Sequence, residues 1–277
     1  MKRIKSVLPL LLLLTLHGTT SAQPDYTADN ISVPMTAARA DDLKNAADAG
    51  SATNAEFLNN EGCVFVDAGQ YEKAVAHFKL ALALKPQFFE AYNNLGYTYA
   101  LSGRLPEALA AINEALRLKP AYVLAHFNLG RVYADAGRPQ DALKPLQQAI
   151  ALKPDYADAY NQLGTVYLQL GRRREALKSL LEAVRLAPSN VSALNNLGVA
   201  QTDAKQYDAA IKTLGRALEI NPQLAQAQYN LACVYLALKD KRAALSLHAS
   251  LKQLDANLGR KLFGEIYHDK ILAVQQK

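Results

Sequence analysis

The sequence predicts an all-α fold of stacked helix pairs, a solenoid, and three observations carry that prediction. Pro86, Pro120, Pro154, Pro188 and Pro222 lie 34 residues apart, and so do Gly62, Gly96, Gly130, Gly164 and Gly198. Each period holds two amphipathic runs joined by a short turn, as in Phe89 to Pro120, where Ser102-Gly103-Arg104 separates the runs. A fixed period of this size marks an architecture in which each repeat packs mainly on its neighbours.

The first 22 residues read as a secretory signal. Lys2, Arg3 and Lys5 precede an apolar run from Val7 to Leu16, and Thr20-Ser21-Ala22 offers small residues for cleavage before Gln23. The run is too short for a membrane span, which needs ~20 apolar residues. Export is therefore expected, to a bacterial periplasm or into the medium. Gln23 to Pro34 is expected to form a polar, flexible lead-in. Thr36 to Asp48 is Ala-rich and predicted helical, with Ala40 and Ala47 one period before Ala74 and Ala81. It is expected to cap the N-terminal flank of the stack, because solenoid ends otherwise expose core surface. Residues 23–54 are thus lead-in and cap.

From Ala55 six repeats run to Ala256 without insertion: 55–88, 89–122, 123–156, 157–190, 191–224 and 225–256. Gly96 and Ala108 have little or no side chain, so the helices of a pair approach closely, while Tyr99 and Ile112 fill the space between pairs. Gly69, Gly103, Gly137 and Gly171 fall where the first helix should end, in the left-handed conformation of a C-terminal cap. Each proline of the series should end the second helix. Lys85, Lys119 and Lys153 precede three of them, where a cation suits the helix C-terminus. Pro145 lies about a turn inside a second helix and should cost one hydrogen bond and bend it locally. Residues 257–277 close the chain with an amphipathic helix carrying Leu258, Leu262 and Ile266, and Phe263, Tyr267 and Ile271 on an adjacent line. It is read as a cap for the sixth repeat, with a membrane-surface role as the alternative given Arg260, Lys261 and Lys270.

These residues resemble the tetratricopeptide repeat. In the second repeat the matching positions are Tyr92, Leu95, Gly96, Tyr99, Ala108, Ile112, Ala115 and Pro120; in the fourth, Tyr160, Leu163, Gly164, Tyr167, Ala176, Leu180, Ala183 and Pro188. Glu61 and Gln201 depart from the pattern in the first and fifth, and Ala232, His248 and Ala256 in the sixth. The resemblance implies a right-handed superhelix of six pairs with capping helices at both ends, its first helices lining a concave groove.

Composition narrows the function. The chain of 277 residues is 50% hydrophobic with a formal charge of +6. Without Lys2, Arg3 and Lys5 the balance is 28 basic to 25 acidic residues, too even for a nucleic-acid footprint. Cys63 and Cys233 take equivalent places in the first and sixth repeats, too far apart to pair within one chain. Packing between helices is the expected role, and an intermolecular bridge is the alternative. The histidines share no metal-ligand spacing, and neither H-E-x-x-H, G-x-S-x-G nor a P-loop occurs. No cofactor, metal or catalytic activity is expected.

Candidate binding residues are those recurring on the first helices. Asn60, Asn94, Asn128, Gln162, Asn196 and Asn230 form one column. A carboxamide both donates and accepts, so such a row can hold an extended peptide's backbone without reading its side chains. The column resembles the asparagine ladder in the repeat domain of the O-linked N-acetylglucosamine transferases. Its alternative role is to bridge adjacent helices. Asp67, Asp135 and Asp203 share a place near the first-helix C-terminus, where a carboxylate opposes the helix dipole. Glu56, Glu90 and Asp158 line the other end, and Arg131 is the basic residue among these columns. The face should therefore favour neutral or basic segments. The carboxylate clamp by which some members of the resembled family hold chaperone tails needs Lys and Arg here and is absent. Tyr97, Phe127 and Tyr229 add aromatic surface for a ligand or pack against the next helix.

Arg104, Arg138 and Arg172 recur in the inter-helix turns as a possible basic ridge for anionic glycan or lipid, against the plainer reading of solvated turn charges. The sequence thus points to a non-catalytic scaffold that binds an extended peptide or partner protein, in assembly of a cell-envelope complex. An adaptor working through the basic ridge is the alternative. Stable membrane insertion is not expected, and self-association is left open.

Overall fold

A computed structural model describes residues 55–275, with side chains to residue 267. The expected signal segment and N-terminal cap lie outside the described residues. Among those described, thirteen α-helices and no strand occur. The chain divides into two compact units at Pro154 and Asp155. The first contains α1 (Ala55–Asp67), α2 (Tyr71–Leu84), α3 (Phe89–Leu101), α4 (Leu105–Leu118), α5 (Val123–Asp135) and α6 (Pro139–Leu152). The second contains α7 (Ala157–Gln169), α8 (Arg173–Leu186), α9 (Val191–Asp203), α10 (Tyr207–Ile220), α11 (Ala225–Ala237), α12 (Lys241–Leu254) and α13 (Ala256–Gln275).

Every second helix before the sixth pair stops two residues short of its proline, at Leu84, Leu118, Leu152, Leu186 and Ile220. Pro145 does not end α6, which runs unbroken around it. The proline lacks an N–H, so the Asp141 carbonyl loses its helical donor. Pro145 and Leu146 are both buried on the core side of the helix.

Close approach within pairs is set by the glycine series. A Cβ on Gly96 would meet Ile112 Cγ1 at 2.5 Å and the Ala108 carbonyl oxygen at 3.0 Å. On Gly198 it would meet Leu214 Cγ at 2.5 Å. The residue sixteen positions after each such glycine (Phe78, Ile112, Leu146, Leu180, Leu214) is wholly buried. These side chains pack directly onto a glycine backbone, which is why the two features repeat together.

The turns between helices need a left-handed residue. Gly69, Gly103, Gly137 and Gly171 have φ of 69°, 76°, 71° and 70°. The fifth and sixth pairs keep the turn without glycine, with Lys205 at φ 61° and Lys239 at φ 63°. In each case the following N–H reaches back to close the turn, as Arg104 N to Tyr99 O at 2.8 Å and Gln206 N to Gln201 O at 2.8 Å.

At the C-terminal end α13 packs on α11 and α12, burying Leu262 and Ile266 with Tyr229, Ala232, Ala244 and Leu251. Leu262, Glu265 and Ile266 each fall 35 residues after Ala227, Asn230 and Leu231. The helix thus follows the pattern of a further first helix, displaced by one residue. Asp255 caps it, its Oδ1 accepting from Asn257 N at 2.9 Å and Leu258 N at 3.0 Å.

Candidate functional site

The amide column is built by pairs of adjacent residues. In the first unit Asn94 Nδ2 donates to Asn59 Oδ1 at 3.0 Å, and Asn128 Nδ2 to Asn93 Oδ1 at 3.0 Å. In the second, Asn196 Nδ2 donates to Asn161 Oδ1 at 2.9 Å, and Asn230 Nδ2 to Asn195 Oδ1 at 2.8 Å. Each bond ties one first helix to the first helix before it, across 35 residues. The acceptors Asn59, Asn93, Asn161 and Asn195 form a second column that the sequence reading passed over. The doublet Asn-Asn at 59–60, 93–94 and 195–196 was the available signal.

The ties correct the picture of a fully solvent-facing ladder. Asn94, Asn128 and Asn230 are buried, and one amide N–H of each is committed to the neighbouring helix. Asn94 also reaches Cys63 Sγ at 3.5 Å, and Asn196 reaches Thr165 Oγ1 at 3.3 Å. The two units differ in how wet the row is. Asn59, Asn93, Asn94 and Asn128 are buried, whereas Asn161, Gln162, Asn195 and Asn196 are half-exposed and only Asn230 of the second unit's row is buried. Asn60 is half-buried in α1.

The row ends on a different pair of chemistries. Tyr229 OH donates to Glu265 Oε1 at 2.6 Å, and Cys233 Sγ donates to Glu265 Oε2 at 3.7 Å. Lys261 Nζ lies 4.7 Å from the centre of the Tyr229 ring. Glu265 therefore stands in α13 where earlier first helices carry the tying amide. Burial, with the Cys233 and Glu265 charges adding, raises the Tyr229 phenol. Burial, assisted by Glu265, pushes the Cys233 thiol up to about 12. Cys63 is pushed up to about 12 by burial and then by Asp67. Both cysteines are free and stay protonated near neutral pH, which makes them poor nucleophiles.

The charged columns are partly neutralised. Asp203 Oδ2 accepts from Arg173 Nε, so one of the three rim aspartates already holds a guanidinium. Glu56 pairs with Lys85 at 2.5 Å, which holds its carboxyl below the usual range. Asp158 accepts from Asn190 Nδ2 at 3.3 Å. Asp67 and Asp135 are exposed at the rim of the first unit, yet the protein around them raises both carboxyls. Arg131, one turn before Asp135, partly offsets that rise. Arg131 is buried and lies 5.0 Å from the centre of the Tyr97 ring, which is half-exposed on α3, the helix that also carries Glu90. Phe127 and Tyr229 are buried, so of the three aromatic candidates Tyr97 presents the most surface.

The turn arginines are balanced where they stand. Arg104 pairs with Glu107 at 2.8 Å, Arg138 with Asp141 at 2.7 Å, and Arg172 with Glu175 at 2.8 Å. Each guanidinium also lies over a tyrosine of its own first helix: Tyr99 at 4.4 Å, Tyr133 at 4.8 Å and Tyr167 at 4.6 Å. This is a local packing motif of arginine between an acid and an aromatic ring, with little net charge along the edge. Among the described residues no group of His, Cys, Asp or Glu could hold a metal ion, and no helix is long and apolar enough to cross a membrane.

Comparison with known proteins places this geometry. A tetratricopeptide-repeat profile matches residues 59–123 and 161–225, and a second TPR-repeat profile matches residues 130–171. No curated protein matches the sequence. Among solved structures, the APC/C hetero-tetramer Cut9-Hcn1 is similar with TM-score 0.74 and 23% identity, covering 81% of this chain and 44% of that one. This chain therefore spans less than half the length of that relative. PilF of Pseudomonas aeruginosa is similar with TM-score 0.67 and 19% identity, covering 81% and 99% of the two chains. YrrB, a TPR protein with an unusual peptide-binding site, is similar with TM-score 0.54 and 24% identity, covering 66% and 96%. At these identities the likeness is one of fold. With the profiles spanning more than half its length, and with the glycine, tyrosine and proline positions serving the packing described above, the chain belongs to the tetratricopeptide-repeat family.

Proposed function

We propose that the protein is an exported, non-catalytic scaffold that holds an extended, neutral to basic peptide segment of a partner on the first-helix face of its repeats. The observation that carries this reading is the half-exposed amide row of the second unit. Gln162 and Asn196 sit there at repeat spacing with Asn195 beside Asn196, and each carboxamide has more donor and acceptor capacity than the helix ties consume. An extended backbone presents alternating N–H and C=O groups that such a row satisfies without regard to side chains. On the first unit Tyr97 supplies an aromatic surface, and Asp67 and Asp135 supply carboxylates suited to basic side chains. The Arg173–Asp203 pair supports that last point from within the chain, since it seats a guanidinium on the same column.

Membership of the family supports protein or peptide binding in general, and the peptide-binding site described for YrrB supports it by analogy. The leader of residues 1–22 is the reason for setting the activity in the bacterial periplasm, in assembly of an envelope complex.

The test is binding of the chain from Gln23 onward to an immobilised array of extended peptides that are neutral, lysine-rich or glutamate-rich. Gln162→Ala and Tyr97→Ala are the informative variants, because neither residue makes one of the amide ties between helices. The expected result is capture of neutral and basic peptides, weakened about tenfold by either variant, roughly 1.4 kcal/mol. Asp67→Lys with Asp135→Lys should abolish the preference for basic peptides. Equal capture by all variants, or preference for the acidic set, would overturn the reading.

A further inference from the structure

We infer that residues Thr36–Asp48 dock on the outer face of α1 as an unpaired second helix, completing a half-repeat at the start of the stack. The inference starts from one row of positions. Val64 is 43% exposed, whereas its counterparts one and two repeats later, Thr98 and Val132, are 0% and 1% exposed. In the second unit the same place is taken by Ala200 and Val234, at 1% and 0%. Within the first unit this row of α3 meets the second helix before it, and Ala81 of α2 shares a buried cluster with Ala91 of α3. The outer face of α1 is thus a surface that other pairs cover with a second helix.

One substitution on that face fits an Ala-rich occupant: Phe57 stands where Ala91 and Ala125 are wholly buried. A bulky residue on α1 requires small residues opposite if the interaxial distance is to be kept. The segment TAARADDLKNAAD supplies them, with Ala40 and Ala47 one period before Ala74 and Ala81, both of which are wholly buried. Connection is short enough. Residues 49–54 join Asp48 to α1, and four residues make the equivalent link from Leu84 to Phe89. A tethered segment acts at an effective concentration on the order of millimolar, which favours it over a second copy or a separate partner.

The chain contains no tryptophan, so Val64→Trp in the chain from Gln23 onward is a clean reporter. Acrylamide quenching of the introduced indole should be at least twofold weaker than in the same chain also carrying Ala40→Asp and Ala47→Asp. With native Val64 in place, the aspartate pair should speed hydrogen exchange of the α1 amides about tenfold, a readout that stands even if the tryptophan variant fails to fold. Equal quenching and equal exchange with and without the aspartates would overturn the inference. So would shielding of the indole that disappears on dilution, which would make a second copy the occupant.

Discussion

The two units share one scaffold and present different faces. In the first, the tying amides are dry: Asn59, Asn93, Asn94 and Asn128 are buried, and the exposed chemistry is Tyr97 with the rim carboxylates Asp67 and Asp135. In the second, the tying amides Asn161, Asn195 and Asn196 are half-exposed while Asn230 is buried, and the rim aspartate Asp203 is already paired with Arg173. The exposed chemistry there is carboxamide and hydroxyl. The difference lies in a few first-helix positions, since the glycine and large apolar partners inside the pairs are nearly constant. One packing solution can therefore be kept while its surface is rewritten.

The largest expected effect tests the constant part. Gly96→Ala should destabilise the protein by about 3 kcal/mol, and Gly198→Ala by about 2 kcal/mol, measured by urea unfolding. The first is worse because its new methyl meets backbone atoms of α4 at 3.0 and 3.1 Å, while the nearest atoms to the second all belong to the Leu214 side chain. Equal losses would mean that side-chain adjustment does not distinguish the units.

Next comes the wetness of the amide row. Asn94→Ala leaves the buried Asn59 carbonyl without its donor and should cost about 1–2 kcal/mol, whereas water can replace the donor in Asn196→Ala, which should cost under about 1 kcal/mol. The same urea titrations decide this. A larger loss at Asn196 would reverse the contrast drawn between the faces.

The turns give a gain of opposite sign. Lys205→Gly should stabilise by about 1 kcal/mol, because a non-glycine residue at positive φ carries strain. Gly103→Ala in the first unit should lose a similar amount. Melting temperatures of the two variants should move in opposite directions.

The smallest effect concerns the rim carboxylate. Asp135 has a raised folded-state pKa, so its contribution to stability is fully present below the unfolded value and is lost as pH rises through the folded one. Asp135→Asn should therefore stabilise at neutral pH, by about 0.5 kcal/mol given the helix-dipole conflict and the exposed position, and the gain should fade in acid. A gain that grows in acid would contradict the cause assigned to the shift.

Much of this was legible along the chain. Gly62 through Gly198 and Pro86 through Pro222 predicted the pairs, and Gly69 through Gly171 predicted the left-handed turns. Pro145 was legible as a proline inside a second helix, and α6 does continue through it. The column from Asn60 to Asn230 was visible as a row, but its direction of bonding was not. That direction depends on a contact 35 residues away, between first helices that sequence alone does not set side by side.

The sequence by itself determined the period, the helix boundaries and the inward faces, because those follow from local rules: a ring that stops a helix, a missing side chain that lets helices touch, and an apolar stripe of fixed pitch. Only the tertiary structure decided which polar residues were spent on the scaffold and which remained for a ligand. Asn94 and Asp203 look as available in the sequence as Gln162 and Tyr97, yet each of the first two is bound to a neighbouring helix while the latter two keep surface exposed. The reason is geometric. Hydrogen bonds and ion pairs form over a few ångströms, and which groups come that close is set by the stacking of one repeat on the next.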